Sequence, residues 1–106
     1  MLTRNLLLLV LIPLFTGSDV GVNPKVHTVE IKGMKFLPAE VRVKKGDIVL
    51  WINKDMVVHN VTEEKSRAWT SQAIPAGKSW KMVVKQSDAY FCTLHPVMKG
   101  KIRILN

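Results

Sequence analysis

A short segment near the carboxyl end carries three side chains that bind soft transition metals. Cys92, His95 and Met98 lie within seven residues of one another, and His59 stands well upstream. A thiolate, two imidazoles and a thioether are the donors of a blue-copper electron-transfer site, in which one Cys and two His form a trigonal set and Met is a weak axial ligand. Cys92 is the only cysteine, so it has no disulfide partner within the chain. These residues predict a metal site with one copper ion per chain.

The donor types and their spacing also predict what the site does. Thiolate and thioether sulfur favour Cu(I), whereas imidazoles also accommodate Cu(II), so both oxidation states are acceptable. We expect residues Thr93 to Met98 to form the turn between two neighbouring strands, and His59 to come from a different loop. Asn60 follows His59 and is well suited to hydrogen bond across to the Cys92–Met98 loop, which would tie the two ligand segments together.

The elements that must position these residues read as strands. Short segments alternate apolar and polar residues with period two, and Gly, Pro and Asp lie between them. Asp47–Asn53 is apolar on both faces, which indicates a central strand. Thr62–Gln72 is the least regular segment and fits a loop or a single helical turn. The pattern predicts an all-β protein, an antiparallel sandwich or small barrel.

Two ordered motifs resemble the cupredoxins, the family of plastocyanin, amicyanin and pseudoazurin. The first motif is Val41-x-Val43-x-x-Gly46-Asp47-x-Val49-x-Trp51-x-Asn53-x-Asp55-x-x-x-His59-Asn60-Val61, and the second is Tyr90-x-Cys92-Thr93-x-His95-Pro96-x-Met98-x-Gly100-x-Ile102. The resemblance implies a Greek-key sandwich of about eight strands. It also implies that His59, Cys92 and His95 are the strong ligands, that Met98 is axial, and that Asn60 and Thr93 support the ligand loops.

The sequence departs from this family's pattern at two positions. Asp88 stands where an aromatic residue is expected before the cysteine, although Tyr90 keeps the other aromatic. Leu94 replaces the proline often found before the second histidine, which leaves the ligand loop less constrained. The short Cys-x-x-His-x-x-Met loop is most similar to that of amicyanin.

The amino-terminal residues are typical of a signal peptide. Arg4 precedes the apolar run Leu6–Phe15, and small residues follow, so we expect cleavage after Ser18. Residues 19–25 then form a linker and residues 26–106 the copper-binding domain. An uncleaved membrane anchor is the alternative, but the run is shorter than the ~20 residues needed to span a bilayer and Pro13 interrupts it. Export to the periplasm or beyond would place Cys92 in an oxidising compartment, where a bound metal would protect its thiol.

The chain is basic, with a formal net charge of +8 at pH 7. Removal of Arg4 with the leader leaves an excess of seven positive charges. Such an excess can attract an acidic redox partner or an anionic membrane face, or can simply keep a small protein soluble. The sequence contains no aromatic-basic motif or recognition helix that would indicate nucleic acid binding.

Several residues also have plain structural interpretations. Cys92 could be a buried or intermolecularly paired cysteine, and Met98 could fill the core. His27 belongs to no motif and is expected to be an exposed strand residue, while Trp51 and Trp80 are expected in the core. Trp69 could pack locally or line a partner surface. Four apolar residues could form a docking patch around His95, or could be scattered over the surface and core. They are Met34, Met56, Pro96 and Val97.

Other metal chemistries fit the chain less well. Structural zinc sites use several paired Cys or His residues, and c-type haem attachment needs a second cysteine. Multicopper enzymes need more than the three histidines present. The sequence therefore predicts a monomeric electron carrier that is not an enzyme and that exchanges electrons with a redox donor and acceptor. The alternative is a protein that stores or delivers copper without redox cycling.

Overall fold

Residues 23–106, the part of the chain that the computed structural model describes, contain eight short strands. Their bounds are β1 Val26–Ile31, β2 Phe36–Leu37, β3 Glu40–Val43, β4 Ile48–Asn53, β5 Thr62–Glu63, β6 Ser79–Val83, β7 Asp88–Cys92 and β8 His95–Ile104. The predicted signal peptide and residues 19–22 of the predicted linker lie outside the described residues. Within residues 23–106 there is no helix of the length and apolar character needed to cross a membrane.

The strands form two four-stranded sheets, ordered β2-β1-β4-β6 and β3-β8-β7-β5. This confirms the predicted all-β fold of about eight strands. The expected antiparallel pairing is found in β1–β2, β4–β6, β5–β7 and β7–β8, but β1 pairs with β4, and β3 with β8, in parallel. A parallel pair needs a crossover connection. The chain provides one between β1 and β4 by passing through β3 in the other sheet.

Strand β4 lies between β1 and β6, the central place that its two apolar faces predicted. Val49 and Trp51 are fully buried on its inner face. Ile48, Leu50 and Ile52 alternate with them on the outer face and are half-buried. This alternation holds β4 in register, so the loop that follows it starts from a rigid point.

An aromatic cluster fills the space between the sheets. The ring of Trp51 lies edge-on to Tyr90 at 5.4 Å and stacks on Trp80 at 5.5 Å, as expected of core aromatics. Trp69 stacks on Trp80 at 6.1 Å, and its Nε1–H donates to an Asp88 carboxylate oxygen at 3.0 Å. Trp69 therefore packs against the core, and Asp88 holds it there from the position where the resemblance leads one to expect another aromatic.

The β7–β8 hairpin is tighter than the sequence suggested. Strand β8 begins at His95, so only Thr93 and Leu94 separate it from Cys92, whereas the whole of Thr93–Met98 was expected to be a turn. A register shift after Phe91 brings Cys92 opposite His95. Three residues of β8, from Pro96 to Met98, lie between this pair and the pair of Phe91 with Lys99 and have no counterpart in β7, so the strand bends there.

Tyr90 and Gly100 occupy paired positions in the same hairpin. A Cβ atom at Gly100 would lie 2.3 to 2.6 Å from the tyrosine ring, so the ring occupies the space that a side chain would need. Burial of Tyr90 raises the pKa of its hydroxyl to about 12. The close contact fixes β7 against β8 directly below the hairpin turn.

The segment Thr62–Gln72, expected to be irregular, contains β5 and a loop arranged around one carboxylate. Glu63 accepts hydrogen bonds from the backbone N–H groups of Ala68, Ser66 and Lys65, and it is almost fully buried. These bonds lower the pKa of Glu63 to about 2, against the opposing effect of burial. The loop is thus closed by its own glutamate.

His27 is not an exposed strand residue as expected. Its Nε2–H donates to an Asp47 carboxylate oxygen at 2.9 Å, and its side chain is 17% exposed. Asp47 also accepts from the N–H groups of Lys25 and Lys44, and the His27 bond followed by these two lowers its pKa to about 2. The parallel pairing of β1 with β4 brings the two groups together, which a local sequence pattern does not reveal.

Candidate metal centre

The four candidate ligands come from two segments that the two-sheet fold brings together. His59 lies in the connection between β4 and β5, where its backbone N–H and C=O both pair with Ile74, at 3.2 and 2.8 Å. Cys92 ends β7, His95 begins β8 and Met98 lies further along β8. His59, Cys92 and His95 are therefore held by paired backbone, and Met98 lies one residue before the paired stretch of β8 that begins at Lys99.

Among the described residues, His59, Cys92 and His95 form a cluster whose ligand atoms all lie within 4.8 Å of one another. The Sγ atom of Cys92 is 3.8 Å from Nδ1 of each histidine. The two imidazole rings meet edge-on at 4.9 Å. His59 and Cys92 are fully buried, Met98 is nearly so, and His95 is partly exposed. Both imidazoles thus present the same ring nitrogen to one sulfur, and one of them reaches the surface.

Asn60 and Thr93 join the two segments by paired hydrogen bonds. The Asn60 side-chain amide donates to Thr93 Oγ1 at 2.7 Å, and the Thr93 N–H donates to Asn60 Oδ1 at 3.1 Å. The same Oδ1 accepts from the Thr62 hydroxyl at 2.9 Å. The backbone N–H of Asn60 points to Cys92 Sγ at 3.4 Å. These contacts fix the distance between the segment of His59 and that of Cys92.

Asp55 contacts the far side of the His59 ring, and sequence analysis assigned it no role. Its Oδ2 accepts a hydrogen bond from His59 Nε2–H at 2.8 Å. Burial acts to raise the pKa of Asp55, but hydrogen bonds from Met34 N–H, His59 and Gly33 N–H together lower it. The signal that could have revealed this contact is the position of Asp55 four residues before a candidate ligand, within the first motif.

Asn53 organises the loop that carries Asp55, and it also lacked a role in the sequence analysis. Its side chain is fully buried at the end of β4. Its amide donates to the carbonyls of Val57 and Ile74 at 2.8 and 2.9 Å, and its Oδ1 accepts from Asp55 N–H at 2.9 Å. A buried side chain that satisfies three backbone groups leaves the loop little freedom.

Exposed apolar side chains lie on the segments that carry or contact the candidate ligands. Met56 is 91% exposed and Val97 is 86% exposed, and three further members are exposed to a smaller extent: Met34, Leu94 and Pro96. Leu94, Pro96 and Val97 flank His95 in sequence, and the Met34 backbone is bonded to Asp55. All four residues that the sequence analysis named are thus exposed, and Leu94 is a fifth that it did not name.

Comparison with known proteins agrees with this geometry. The family model for copper-binding proteins of the plastocyanin/azurin family matches residues 24–105. Amicyanin from Paracoccus versutus is 32% identical over 92 residues, which cover 81% of this chain and 68% of that protein. Amicyanin-alpha from Methylorubrum extorquens is 37% identical over 81 residues, covering 70% and 67% of the two chains.

The fold agrees as well. The crystal structure of amicyanin from Paracoccus versutus superposes with a TM-score of 0.69 at 28% identity, covering 83% of this chain and 89% of that one. The sequence motifs, the two-sheet architecture and the family match point the same way, and the metal they imply is copper. The chain belongs to the copper-binding plastocyanin/azurin family, the cupredoxins.

Proposed function

We propose that this protein is an exported one-electron carrier in which His59, Cys92 and His95 bind a single copper ion and Met98 is its axial ligand. The main observation behind this proposal is the distance of 3.8 Å between Cys92 Sγ and the Nδ1 atom of each histidine, His59 and His95. Metal–sulfur and metal–nitrogen bonds of about 2.3 and 2.0 Å, as at zinc, give roughly this separation when the ligands meet at a trigonal angle. The donor set is the one that blue-copper sites use.

Copper bound by this donor set supplies a centre that gains or loses one electron as it cycles between Cu(I) and Cu(II). The contribution of the chain is rigidity. His59 is paired with Ile74, and Asn60 is bonded to Thr93, so the donors stay in place when the charge of the site changes. Ligands held by an ordered supporting structure rearrange little, which favours fast electron transfer.

His95 is the proposed point of electron entry and exit. It is the partly exposed member of the cluster, and the exposed side chains of Leu94 and Val97 flank it. A redox partner that covers this apolar surface would exclude water from the imidazole edge and shorten the path for the electron. The donor then loses one electron and the site gains it, and the reverse exchange follows at the acceptor.

The net positive charge supports an acidic partner. Removal of the predicted leader leaves an excess of seven positive charges, and two of the basic residues contact the ring of the residue that precedes Cys92 in the chain. The Arg67 guanidinium and the Lys99 ammonium group lie 5.5 and 5.8 Å from the centre of the Phe91 ring, next to Cys92. Complementary charge speeds the encounter between proteins. We propose a monomeric, periplasmic carrier, released from its signal peptide, that exchanges electrons with acidic redox proteins.

The test is a titration of the mature domain with Cu(II), followed by visible and EPR spectroscopy. We expect an intense blue thiolate-to-copper band at one copper per chain, bleached reversibly by ascorbate. Cys92→Ser and His59→Ala should lose the band, whereas His27→Ala, a histidine removed from the same chain outside the cluster, should keep it. A colourless adduct in the wild type would refute Cys92 ligation and favour copper storage or delivery.

A second measurement separates a carrier from a delivery protein. A carrier completes repeated reduction and oxidation cycles at constant copper content. A delivery protein releases its metal to a chelator in one oxidation state. Loss of copper during the first reduction, measured by metal analysis after gel filtration, would contradict the proposal.

A further inference from the structure

The Asp55 carboxylate occupies the side of the His59 ring that faces away from Cys92. His59 Nδ1 points to Cys92 Sγ at 3.8 Å, while Nε2 lies 2.8 Å from Asp55 Oδ2. A neutral imidazole carries one proton, and a carboxylate oxygen can only accept a hydrogen bond. The proton therefore resides on Nε2, and the lone pair of Nδ1 is directed toward the thiol. The His59 side chain is 0% exposed, so water does not compete for this arrangement.

The carboxylate is itself held in place by the backbone. Gly33 N–H donates to Asp55 Oδ1 at 2.7 Å, and Met34 N–H donates to Oδ2 at 3.0 Å. Both residues have left-handed backbone angles, with φ of +63° and +61°. Successive N–H groups in such turn conformations form a concave anion site. The left-handed conformation is uncommon for a residue with a side chain, as at Met34.

The anion site gives Asp55 a fixed orientation as well as a fixed position. Both carboxylate oxygens have backbone donors, and the Asp55 N–H is bonded to the buried Asn53 side chain at 2.9 Å. The side chain cannot turn away from His59 without leaving two N–H groups without their acceptor. The carboxylate therefore stays against the imidazole, on the side of the ring opposite Cys92.

We propose that Asp55 is a positioning residue that locks His59 in the tautomer with a free Nδ1 and, through its charge, favours Cu(II) over Cu(I) at the site. The effect on the balance between Cu(II) and Cu(I) rests on the proposed function, whereas the role of Asp55 in fixing the His59 tautomer does not. An anionic acceptor makes the bonded imidazole a more basic ligand. A negative charge close to the site also stabilises the more highly charged oxidation state. The reduction potential is therefore lower than it would be with a neutral partner.

The first test uses the copper-free protein. Nitrogen-15 NMR of the histidine rings reports which nitrogen carries the proton. In the wild type we expect His59 to carry it on Nε2, and in Asp55→Ala we expect a mixture of both tautomers. A wild-type ring protonated on Nδ1, or an unchanged tautomer in Asp55→Ala, would overturn the positioning role whether or not the protein is a carrier.

The second test measures the reduction potential of the copper-loaded protein. Asp55→Asn keeps the size of the side chain and removes its charge. We expect the equilibrium to shift toward Cu(I) by tenfold or more, which for one electron is about 59 mV. Asp55→Glu keeps the charge and should shift the equilibrium by less than threefold. Asp88→Asn is the matched control. It makes the same chemical change at the start of β7, the end away from Cys92, where Asp88 accepts a hydrogen bond from Trp69. It should shift the Cu(I)/Cu(II) equilibrium by less than twofold.

The outcomes separate the two proposals. A wild type without a reversible blue band overturns the proposed function, and the tautomer measurement still decides the role of Asp55 toward His59. A blue wild type in which Asp55→Asn shifts the equilibrium no more than Asp88→Asn overturns the charge effect. Equal shifts in Asp55→Asn and Asp55→Glu would also overturn it, because they would trace the change to geometry alone.

Discussion

Replacement of Asn60 by Ala should weaken the connection between the two ligand-bearing segments. The side chain of Asn60 takes part in three hydrogen bonds, two with Thr93 and one with the Thr62 hydroxyl. The backbone contact from Asn60 N–H to Cys92 Sγ does not involve the side chain and should persist. The substitution therefore removes the side-chain bridge and leaves the backbone path intact.

The expected cost follows from the number of bonds. A net contribution of about 1 kcal/mol for each hydrogen bond predicts a loss of roughly 3 kcal/mol in the free energy of unfolding. Asn60 as a whole residue is 8% exposed, so water replaces these partners poorly. Thr93→Ala removes one bond and should cost about 1 kcal/mol, and Thr93→Ser keeps the hydroxyl and should be nearly neutral.

The assay is urea unfolding of the copper-free protein, followed by tryptophan fluorescence, for the wild type and the three variants. Copper-loaded protein should be measured in parallel, because a looser site would also lose copper affinity and show a larger destabilisation than the copper-free form. An Asn60→Ala variant within about 0.5 kcal/mol of the wild type, or one that costs no more than Thr93→Ala, would refute the bridging role.

Three further changes test other parts of the molecule. Gly100→Ala places a methyl group within 2.6 Å of the Tyr90 ring and should destabilise the fold by about 1–3 kcal/mol in urea unfolding. The folded pKa values of Asp47 and Glu63 lie at about 2, below those of the unfolded chain, so their stabilisation is complete at neutral pH. It should be lost as the pH falls from about 4.5 to 2, and the thermal midpoint should fall over that range. Val97→Asp places a negative charge on the apolar surface beside His95, where the charge must lose its water on docking and repels an acidic partner, so it should slow electron exchange with a physiological partner by tenfold or more, measured by stopped flow.

Each of these changes has its own control. Lys101→Ala alters an exposed neighbour of Gly100 and should leave the unfolding midpoint almost unchanged. Glu63→Gln should flatten the acid dependence, and an unaltered slope would contradict the assigned role of the carboxylate. Val97→Ala keeps the surface apolar, so equal slowing by Val97→Ala and Val97→Asp would show that charge at this position is not what matters.

The all-β character could be predicted from sequence, and so could the candidate donor atoms of the proposed site. Soft sulfur and imidazole donors indicate copper, because the metal preference of a site depends on the types of its ligands. The alternation in β4 determines which face is buried, since successive side chains of a strand point to opposite sides. Metal preference depends on residue type and strand burial depends on the alternation of neighbouring residues. Both can therefore be obtained from the sequence without knowledge of the fold.

Contacts between distant segments were decided by the tertiary structure. The bond of His27 to Asp47 depends on the parallel pairing of β1 with β4. His59 and Asp55 are only four residues apart, but the loop between them is held by Asn53, whose amide donates to the carbonyl of the distant Ile74. The left-handed turn at Gly33 and Met34 can bind the Asp55 carboxylate only because the fold brings Asp55, more than twenty residues away in the chain, against its N–H groups.

The physical reason is the same in each case. The sequence by itself determined which atoms could bind copper and which faces of the strands would be buried, since these follow from residue type and local period. Which polar groups then meet depends on how the two sheets pack and on the register of pairs far apart in the chain, here β1 with β4 and β3 with β8. The packing of the sheets and the register of their strands depend on burial and hydrogen bonding summed over the whole domain. The contacts of His27 and His59 follow from that packing.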